Sequence, residues 1–306
     1  MTNAKVSVVI VTYNRLDLLK QSITHALNQV SPALAHVIVV NGASTDGTAA
    51  YLESLTDSRL IIENLDQNLG GAGGFNHGIK VFMTRTQDDY VWVMDDDSLP
   101  TPTALTQLLA LFAEKPTAVM ASSKVEWTDG DWSKMNVQAP ADGSRDAVMF
   151  GSDNWVPIKH STFVGTMFTR AVVAQIGLPQ KEYFIWGDDI EYTERATRVG
   201  DGYFVRDSVV IHASATNPEP GDIAGETIEG RLPRYLNEYR NRLETSRRRG
   251  SVVKYVKTVG HTGVDFLKTL LLPGVVYRWR KLGIIIQGSW RGLFFRPKIE
   301  YIDDKK

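Results

Sequence analysis

The order of apolar runs and amphipathic segments predicts an α/β fold, with a mostly parallel sheet flanked by helices. Short β-branched runs alternate with helical patterns through the first hundred residues. The predicted strands are residues 6–11, 37–40, 60–63 and 90–94, and the predicted helices are residues 17–29, 48–55 and 75–84. A repeating strand–helix order of this kind predicts parallel strands covered by helices on both faces.

A polar or glycine-rich segment follows each of the four predicted strands. These segments are residues 12–15, 41–47, 68–74 and 95–97. Parallel α/β sheets bind their ligands beyond the carboxyl ends of the strands. Since all four segments fall at such ends, the sequence predicts a ligand site at this edge of the sheet.

The remainder of the chain predicts more α/β structure and then a helical region. The sequence predicts helices at residues 103–114, from residue 170 and near residue 188, strands at 118–122, 161–168 and 203–211, and an irregular or hairpin insertion at 127–160. Residues 214–230 are rich in Pro, Gly and Glu and predict a mobile loop. Helical, basic sequence follows, so we predict two domains, residues 1–225 and 226–306.

Charge is distributed unevenly along the chain, although its net charge is only −1. From Arg231 to Lys306 there are 18 Lys and Arg against 6 Asp and Glu. Such a basic region favours an anionic partner, such as lipid headgroups or a lipid-linked diphosphate. Solvated helix faces or a homo-oligomer contact are the alternatives. The acidic remainder of the chain disfavours nucleic acid as a partner, because it would repel the phosphate backbone.

Several classes of site are excluded by composition. The chain has no cysteine, which excludes disulfides, thiolate metal sites and cysteine nucleophiles. It has no run of the ~20 apolar residues that a membrane span needs. The first apolar run, residues 6–11, is too short for a signal sequence. We therefore expect a cytoplasmic protein that associates peripherally with the inner face of the cell membrane through its basic region.

Three consecutive aspartates, Asp95, Asp96 and Asp97, directly follow the fourth predicted strand. Adjacent carboxylates repel one another, so a cation would stabilise them, and their oxygens suit Mg²⁺ or Mn²⁺. The alternative is an acidic cap on the helix that follows.

His212 ends the last predicted strand, and its imidazole is an acceptable Mn²⁺ ligand, although a lone histidine is more often structural.

A second pair of aspartates, Asp188 and Asp189, adjoins an aromatic segment that contains Trp186. A carboxylate there could act as general base on an acceptor hydroxyl, and the indole could stack on a sugar ring. The alternative is a helix start whose acids offset the helix dipole.

The glycines of residues 70–74 fit neither a dinucleotide fingerprint nor a P-loop, so they predict either a close backbone approach to a ligand or a tight turn before a helix.

Together these segments resemble the family 2 inverting glycosyltransferases with the GT-A fold. The resemblance covers residues 5–215 and rests on residues 8–15, 44–48 and 95–97. Residues 68–75 and 184–192 are similar to those of bacterial galactofuranosyltransferases. Residues 239–241, Tyr-Arg-Asn, resemble a tract of those enzymes and of rhamnosyltransferases. The family also places a metal-binding histidine after a late strand, where this chain has His212.

The resemblance implies a metal-dependent enzyme that moves a hexofuranosyl residue, galactofuranose, from a UDP-sugar with inversion. The implied acceptor is a glycan or a polyprenyl-diphosphate-linked sugar. Asp95, Asp97 and His212 would hold Mn²⁺ or Mg²⁺, while Asp189 would be the base and Asp188 would orient the donor or acceptor. The implied donor-binding residues are Thr12, Asn14, Arg15, Asn41, Asp66, Asn68, Gly73, Asp95, Asp96 and Trp186.

One position departs from the family pattern and leaves the donor open. Many members have an acidic residue, which usually contacts the nucleobase or ribose, where this chain has Asn41-Gly42-Ala43. A rhamnosyltransferase that uses dTDP-rhamnose is therefore the alternative on the same fold. A nucleotidyltransferase is a lower alternative, because the first loop carries only Arg15 to grip a triphosphate. A non-catalytic sugar-binding scaffold ranks lower still, since it would not need two groups of aspartates.

Overall fold

A computed structural model describes residues 4–217 and 221–302. The strands are β1 (Val6–Thr12), β2 (Leu34–Asn41), β3 (Leu60–Asn64), β4 (Tyr90–Asp95), β5 (Ser98–Pro100), β6 (Ala118–Trp127), β7 (Ala139–Pro140), β8 (Trp155–His160), β9 (Thr166–Thr169) and β10 (Asp201–His212). The helices are α1 (Leu16–Leu27), α2 (Thr48–Glu53), α3 (Gly70–Arg85), α4 (Ala104–Glu114), α5 (Arg145–Met149), α6 (Arg170–Ile176), α7 (Asp188–Ala196), α8 (Arg234–Arg248), α9 (Val252–Leu271) and α10 (Arg278–Phe294).

The strands form one mixed, mostly parallel sheet in the order β3-β2-β1-β4-β9-β6-β10-β8-β7, with β5 paired to β10. The neighbouring pairs among β3, β2, β1 and β4 are all parallel, as predicted, whereas β9 runs antiparallel between β4 and β6. Along β1, Val8 and Ile10 pack in one buried cluster, and Val9 and Val11 pack in another. Burial of both faces explains the continuous apolar run at residues 8–11 of the strand. The predicted α/β class is confirmed.

The glycine-rich segment lies inside a helix, which corrects the predicted start of α3 at residue 75. The helix begins at Gly70, so the glycines form its first turns. A Cβ added to Gly74 would lie 2.3 Å from Val11 Cγ1, and one added to Gly78 would lie 2.4 Å from Val9 Cγ1. Glycines four residues apart therefore let the helix lie close against β1.

The single strand predicted for residues 161–168 was wrong. Strand β8 ends at His160 and β9 begins at Thr166, with a short connection between them. Gly165 has a φ of +79° within that connection, which a continuous strand does not accommodate. Ser161 and Thr166 also hydrogen-bond through their hydroxyls, at 3.2 Å. Hydroxyls of this kind offer local alternatives to a strand ladder.

The C-terminal region is helical, as predicted, and α8 and α10 pack against each other. Residues 218–220 of the predicted mobile loop lie outside the described residues. Farther along that loop, Ile223 is buried in an apolar cluster that includes Leu232, Tyr235 and Ile285. None of the helices in residues 4–217 and 221–302 is both long and apolar enough to cross a bilayer.

Candidate active site

The pairing of two distant strands brings His212 to the aspartate triplet. Strand β4 ends at Asp95, and β5 turns back to pair antiparallel with β10, so that Ser98 lies opposite His212. The Ala213 N–H donates to the Asp97 carbonyl at 2.7 Å. As a result, His212 Nε2 lies 3.3 Å from Asp97 Oδ1.

Arg15 connects the first polar loop to the aspartates. Its Nη1 donates to Asp96 Oδ1 and its Nη2 pairs with Asp97 Oδ2, both at 2.8 Å. Thr12 Oγ1 donates to the other oxygen of Asp96, also at 2.8 Å. Both carboxylates are 3% exposed, so these contacts supply much of their charge compensation.

The triplet nevertheless carries an excess of negative charge. Burial, and then the charges of Asp97 and Asp96, raise the pKa of Asp95 well above its usual value. Burial also raises the pKa of Asp96, to about 6, although Arg15 opposes the shift. Burial alone would also raise the pKa of Asp97. The hydrogen bonds and positive charges of His212 and Arg15 have the larger effect, and the pKa of Asp97 is lowered. A further positive charge would therefore be stabilised beside Asp95.

The side chains present fit a divalent cation, although they do not form a complete ligand set by themselves. No group of three His, Asp or Glu side chains in residues 4–217 and 221–302 is placed to hold a metal alone. Apart from the nearby His212 ring, Asp97 Oδ1 is buried without a hydrogen-bond partner among these residues. Oxygen donors with one imidazole suit Mn²⁺ or Mg²⁺, and Mg²⁺ commonly takes further ligands from substrate phosphates.

The far side of the His212 ring is held by residues of the irregular insertion. Ser133 Oγ lies 3.2 Å and Asn136 Nδ2 lies 3.1 Å from His212 Nδ1. Such contacts fix the orientation of a ring whose other nitrogen can bind a metal. These two residues were not predicted from the sequence, because the helical and strand periods of the insertion are weak.

Residues 12–15 and 41–47, the two nucleotide loops implied by the family resemblance, are joined to each other. Asn14, with a φ of 54°, accepts at its Oδ1 from Thr45 N at 2.7 Å, and its own N–H donates to Ser44 Oγ. Asn41 Oδ1 accepts from Ser44 N, and Asn41 Nδ2 donates to Asn64 Oδ1 at 2.8 Å. The amide that replaces the family's acidic residue therefore shapes the loop from a buried position.

The remaining predicted donor-binding residues have mixed environments. Asp66 and Asn68 are exposed on the segment before α3, where Asn68 Oδ1 accepts from Gly70 N at 2.7 Å. Gly73 lies in the helix, and a Cβ there would come within 2.4 Å of the Leu69 Cβ. Packing against the preceding turn therefore accounts for this glycine.

The second pair of aspartates begins α7, and their environments differ. Asp188 is 6% exposed, and burial followed by the charge of Asp189 raises its pKa to about 8. Burial also raises the pKa of the partly exposed Asp189, to about 6, while the Ile190 N–H, which donates to Oδ1 at 2.7 Å, opposes the shift. At neutral pH, Asp188 therefore keeps its proton and Asp189 is mostly ionised.

A strained loop, residues 183–187, contains Trp186 and positions the two aspartates that follow it. Phe184 (φ 64°) and Trp186 (φ 65°) both have positive φ, and Ile185 N donates back to the Tyr183 carbonyl at 2.7 Å in a γ-turn. A Cβ on Gly70 would lie only 2.0 Å from the Phe184 carbonyl oxygen. Strained backbone of this kind persists where surrounding contacts over-determine it.

Asn241, on α8, holds the 183–187 loop in place. Its buried Nδ2 donates to the carbonyls of Tyr183, Ile185 and Trp186, at 3.0, 3.2 and 2.8 Å. The neighbouring Arg240 donates to the Tyr183 carbonyl as well, at 3.0 Å. The sequence resemblance had singled out this tract without indicating what it does.

Replacing Asn241 with Ala should lower turnover by about 10–100-fold, because the Ile185 and Trp186 carbonyls lose their hydrogen-bond donor and the loop no longer holds Trp186 and Asp189 in position. UDP affinity should change little, since the two loops proposed to bind the nucleotide lie elsewhere. Steady-state kinetics together with UDP titration would separate these effects. Asn237→Ala, on the same helix, is the matched control. Equal losses in both variants would contradict a specific role for Asn241.

The start of α8 lies near Arg15 and packs against Trp186. Partial burial, and then the like charges of Arg231 and Arg15, lower the pKa of Arg234 at the first position of this helix. The next residue, Tyr235, packs edge-to-face on Trp186 with ring centroids 5.1 Å apart. Thus one helix start is close both to Arg15 in the aspartate network and to the aromatic residue beside Asp188.

The family model for glycosyl transferase family 2 matches residues 7–174, more than half of the chain. The chain therefore belongs to this family and is a glycosyltransferase. It is 27% identical to galactofuranosyltransferase GlfT1 of Mycolicibacterium smegmatis over 266 residues, which cover 82% of this chain and 83% of that protein. Identity to the protein of the same name from Mycobacterium tuberculosis is 26% over 260 residues, 80% of this chain and 81% of that one.

Solved structures show the same fold at lower sequence identity. Residues 1–349 of S. aureus TarS match with a TM-score of 0.54 and 16% identity, covering 94% of this chain and 91% of that chain. The mannosyltransferase PcManGT from Pyrobaculum calidifontis, solved with GDP-Man and Mn²⁺, matches with a TM-score of 0.54 and 18% identity, covering 95% and 87%. These likenesses confirm the GT-A fold.

Proposed function

We propose that this glycosyltransferase moves galactofuranose from UDP-galactofuranose, with inversion, onto a glycan or lipid-linked acceptor in cell-wall or surface polysaccharide synthesis. The observation that carries the proposal is the start of α7, where the buried Asp188 and the partly exposed Asp189 lie beside Trp186. Similarity to two galactofuranosyltransferases over about four-fifths of the chain supports the choice of sugar.

In the proposed mechanism, ionised Asp189 accepts the proton of an acceptor hydroxyl. The acceptor oxygen then bonds to the anomeric carbon of the donor, whose bond to the diphosphate oxygen breaks, and UDP leaves. General-base catalysis of this kind contributes about 10²–10⁴-fold to a rate. Asp188, protonated at neutral pH, would donate a hydrogen bond that orients the donor or acceptor, and Trp186 would provide an apolar surface for the acceptor sugar.

The leaving diphosphate would bind at the aspartate triplet. Mn²⁺ or Mg²⁺, held by Asp95, Asp97 and His212, would supply charge neutralisation of the diphosphate when bound. Thr12 and Arg15 hydrogen-bond the two oxygens of Asp96, which would contact the sugar or ribose of the donor. Support for a divalent cation comes from the metal-ligand side chains described above and from the Mn²⁺ in the PcManGT structure.

The nucleotide would lie over the two joined loops, against residues Asn14, Asn41, Asp66 and Asn68. In this proposal residues 1–225 form the donor-binding and catalytic unit. Residues 226–306 form a basic helical unit that brings the enzyme to the cytoplasmic face of the membrane, where lipid-linked acceptors are located. Its excess of Lys and Arg supports this placement.

A panel of UDP- and dTDP-sugars, assayed for hydrolysis and transfer with and without Mn²⁺, tests the donor. We expect UDP-galactofuranose to be consumed fastest, with UDP as the released product. Turnover of dTDP-rhamnose alone would instead select the rhamnosyltransferase alternative. Release of pyrophosphate from a nucleoside triphosphate would select the nucleotidyltransferase alternative.

A further inference from the structure

The last two helices present a broad apolar face that nothing in the described structure covers. On α9 the exposed apolar positions recur at helical spacing along one side of the helix. They include Val252, Val256, Val259, Leu267 and Leu271, which are 48–80% exposed. The opposite side, at Thr258 and Thr269, is buried against the body of the protein. An amphipathic helix with this arrangement faces its apolar side away from the protein core.

Helix α10 repeats the same arrangement. Leu282, Ile284 and Ile285 are buried, whereas the other side of the helix carries large exposed apolar residues. These are Trp279, Ile286, Trp290, Leu293 and Phe294, of which Trp279 is 78% exposed and Trp290 is 63% exposed. The segment between the two helices adds exposed Leu272, Val276 and Tyr277. Apolar surface that is this extensive and continuous along the chain marks an interaction site.

Basic residues border this face. On α9, Lys254, Lys257 and Lys268 are exposed at helical spacing next to the apolar stripe, and Arg280 and Arg291 are exposed beside the stripe of α10. From residue 251 to residue 298 the sequence contains nine Lys and Arg, and its only acidic residue is Asp265. That carboxylate already pairs with Arg242 at 2.9 Å.

We propose that α9 and α10 lie in the plane of an anionic bilayer surface, with their exposed apolar side chains inserted at the boundary between headgroups and acyl chains. This inference rests on the proposed function and deepens it, because attachment by basic charge alone needs no apolar face. Interfacial helices combine apolar residues, including Trp, with a flanking Lys and Arg face in this way. A second copy of the chain fits poorly, since its equally basic face would oppose this one.

The test uses the full chain and vesicles of phosphatidylcholine with or without phosphatidylglycerol. We expect binding to the anionic vesicles, a blue shift of tryptophan fluorescence, and quenching by brominated lipids. Binding should weaken at high salt but persist, because the apolar contribution is not screened.

The double variant Trp279→Ser/Trp290→Ser should bind at least about tenfold more weakly and lose most of the quenching. Phe150→Ser, which changes an exposed aromatic residue outside these helices, should behave like the wild type.

Three outcomes would overturn the proposal. The first is no binding to either kind of vesicle. The second is binding that high salt abolishes and the Trp variants leave unchanged, which would indicate electrostatic adsorption alone. The third is a dimer, seen by ultracentrifugation, that the Trp variants dissociate, which would assign the face to a second copy. Donor hydrolysis without vesicles should be equal in all variants, so failure of membrane insertion can be distinguished from failure of the proposed activity.

Discussion

Asp189→Asn is expected to lower transfer to the acceptor by about 10²–10⁴-fold, because the amide cannot accept the acceptor's proton. UDP binding should stay near the wild-type value, since Arg15 and the nucleotide loops are untouched. Initial rates of transfer and UDP titrations measure the two effects separately. Near-normal turnover in both Asp189→Asn and Asp189→Ala would show that another group is the base.

Asp188→Asn is the matched control, because it changes the adjacent residue in the same way. Asp188 holds its proton below about pH 8, so its amide replaces a neutral group of similar shape. We expect a loss of less than about tenfold, comparable to one hydrogen bond. A larger loss for Asp188→Asn than for Asp189→Asn would reverse the two roles.

The assignment of Asp189 as the general base also predicts how the rate of transfer depends on pH. Burial raises the pKa of Asp189 to about 6, so the base is protonated and inactive below that pH. Transfer should therefore rise with pH through about 6 and fall about tenfold per unit on the acid side. A flat profile between pH 5 and pH 7 would contradict Asp189 as the base.

Removal of divalent metal by a chelator is expected to lower turnover by about 10²–10³-fold, because the charge of the leaving diphosphate is then uncompensated. Added Mn²⁺ should restore the wild type. Asp97→Asn and His212→Ala should each bind Mn²⁺ at least about tenfold more weakly in the presence of UDP. Electron paramagnetic resonance of free Mn²⁺ measures this affinity directly, independently of turnover.

Glu114→Gln is the control for those variants, because it removes an exposed carboxylate at the far end of α4. Its Mn²⁺ affinity should equal that of the wild type. Wild-type Mn²⁺ binding in Asp97→Asn, or full activity in the chelator, would exclude the aspartate triplet as the metal site.

Local sequence patterns were sufficient to predict the strands and helices in the first half of the fold. Strand β1 is buried at every position and apolar at all but Ser7 and Thr12, because both of its faces are covered. A run of that kind is visible in the sequence without knowledge of its neighbours. The polar segments after β1, β2 and β4 were visible for the same reason, since each directly follows such a strand. The connection between Asp97 and His212 was harder to predict. It depends on the antiparallel pairing of Ser98 with His212, residues more than a hundred positions apart.

Contacts between distant segments account for what the sequence did not predict. The glycines of residues 70–74 were predicted to form a tight turn or to approach a ligand before the helix. They lie inside α3 instead, because glycine lets this helix pack closely against β1, a contact that exists only in the assembled sheet. The role of Asn241 depends on hydrogen bonds to backbone carbonyls of a distant loop, and the sequence does not show which carbonyls lie near this side chain. The helical period of α9 and α10 was visible, but which stripe of each helix is exposed depends on where α8 lies.

The contacts of the 183–187 loop limit how the enzyme can be re-engineered. The absence of a side chain at Gly70 leaves room for the Phe184 carbonyl, and Asn241 of α8 holds the same loop through its backbone carbonyls. A chimaera that exchanged only the C-terminal helices with those of a relative would separate Asn241 from the loop that it holds. Acceptor preference should therefore be transferable between relatives only when residues 68–74, 183–187 and 234–248 are exchanged as a set.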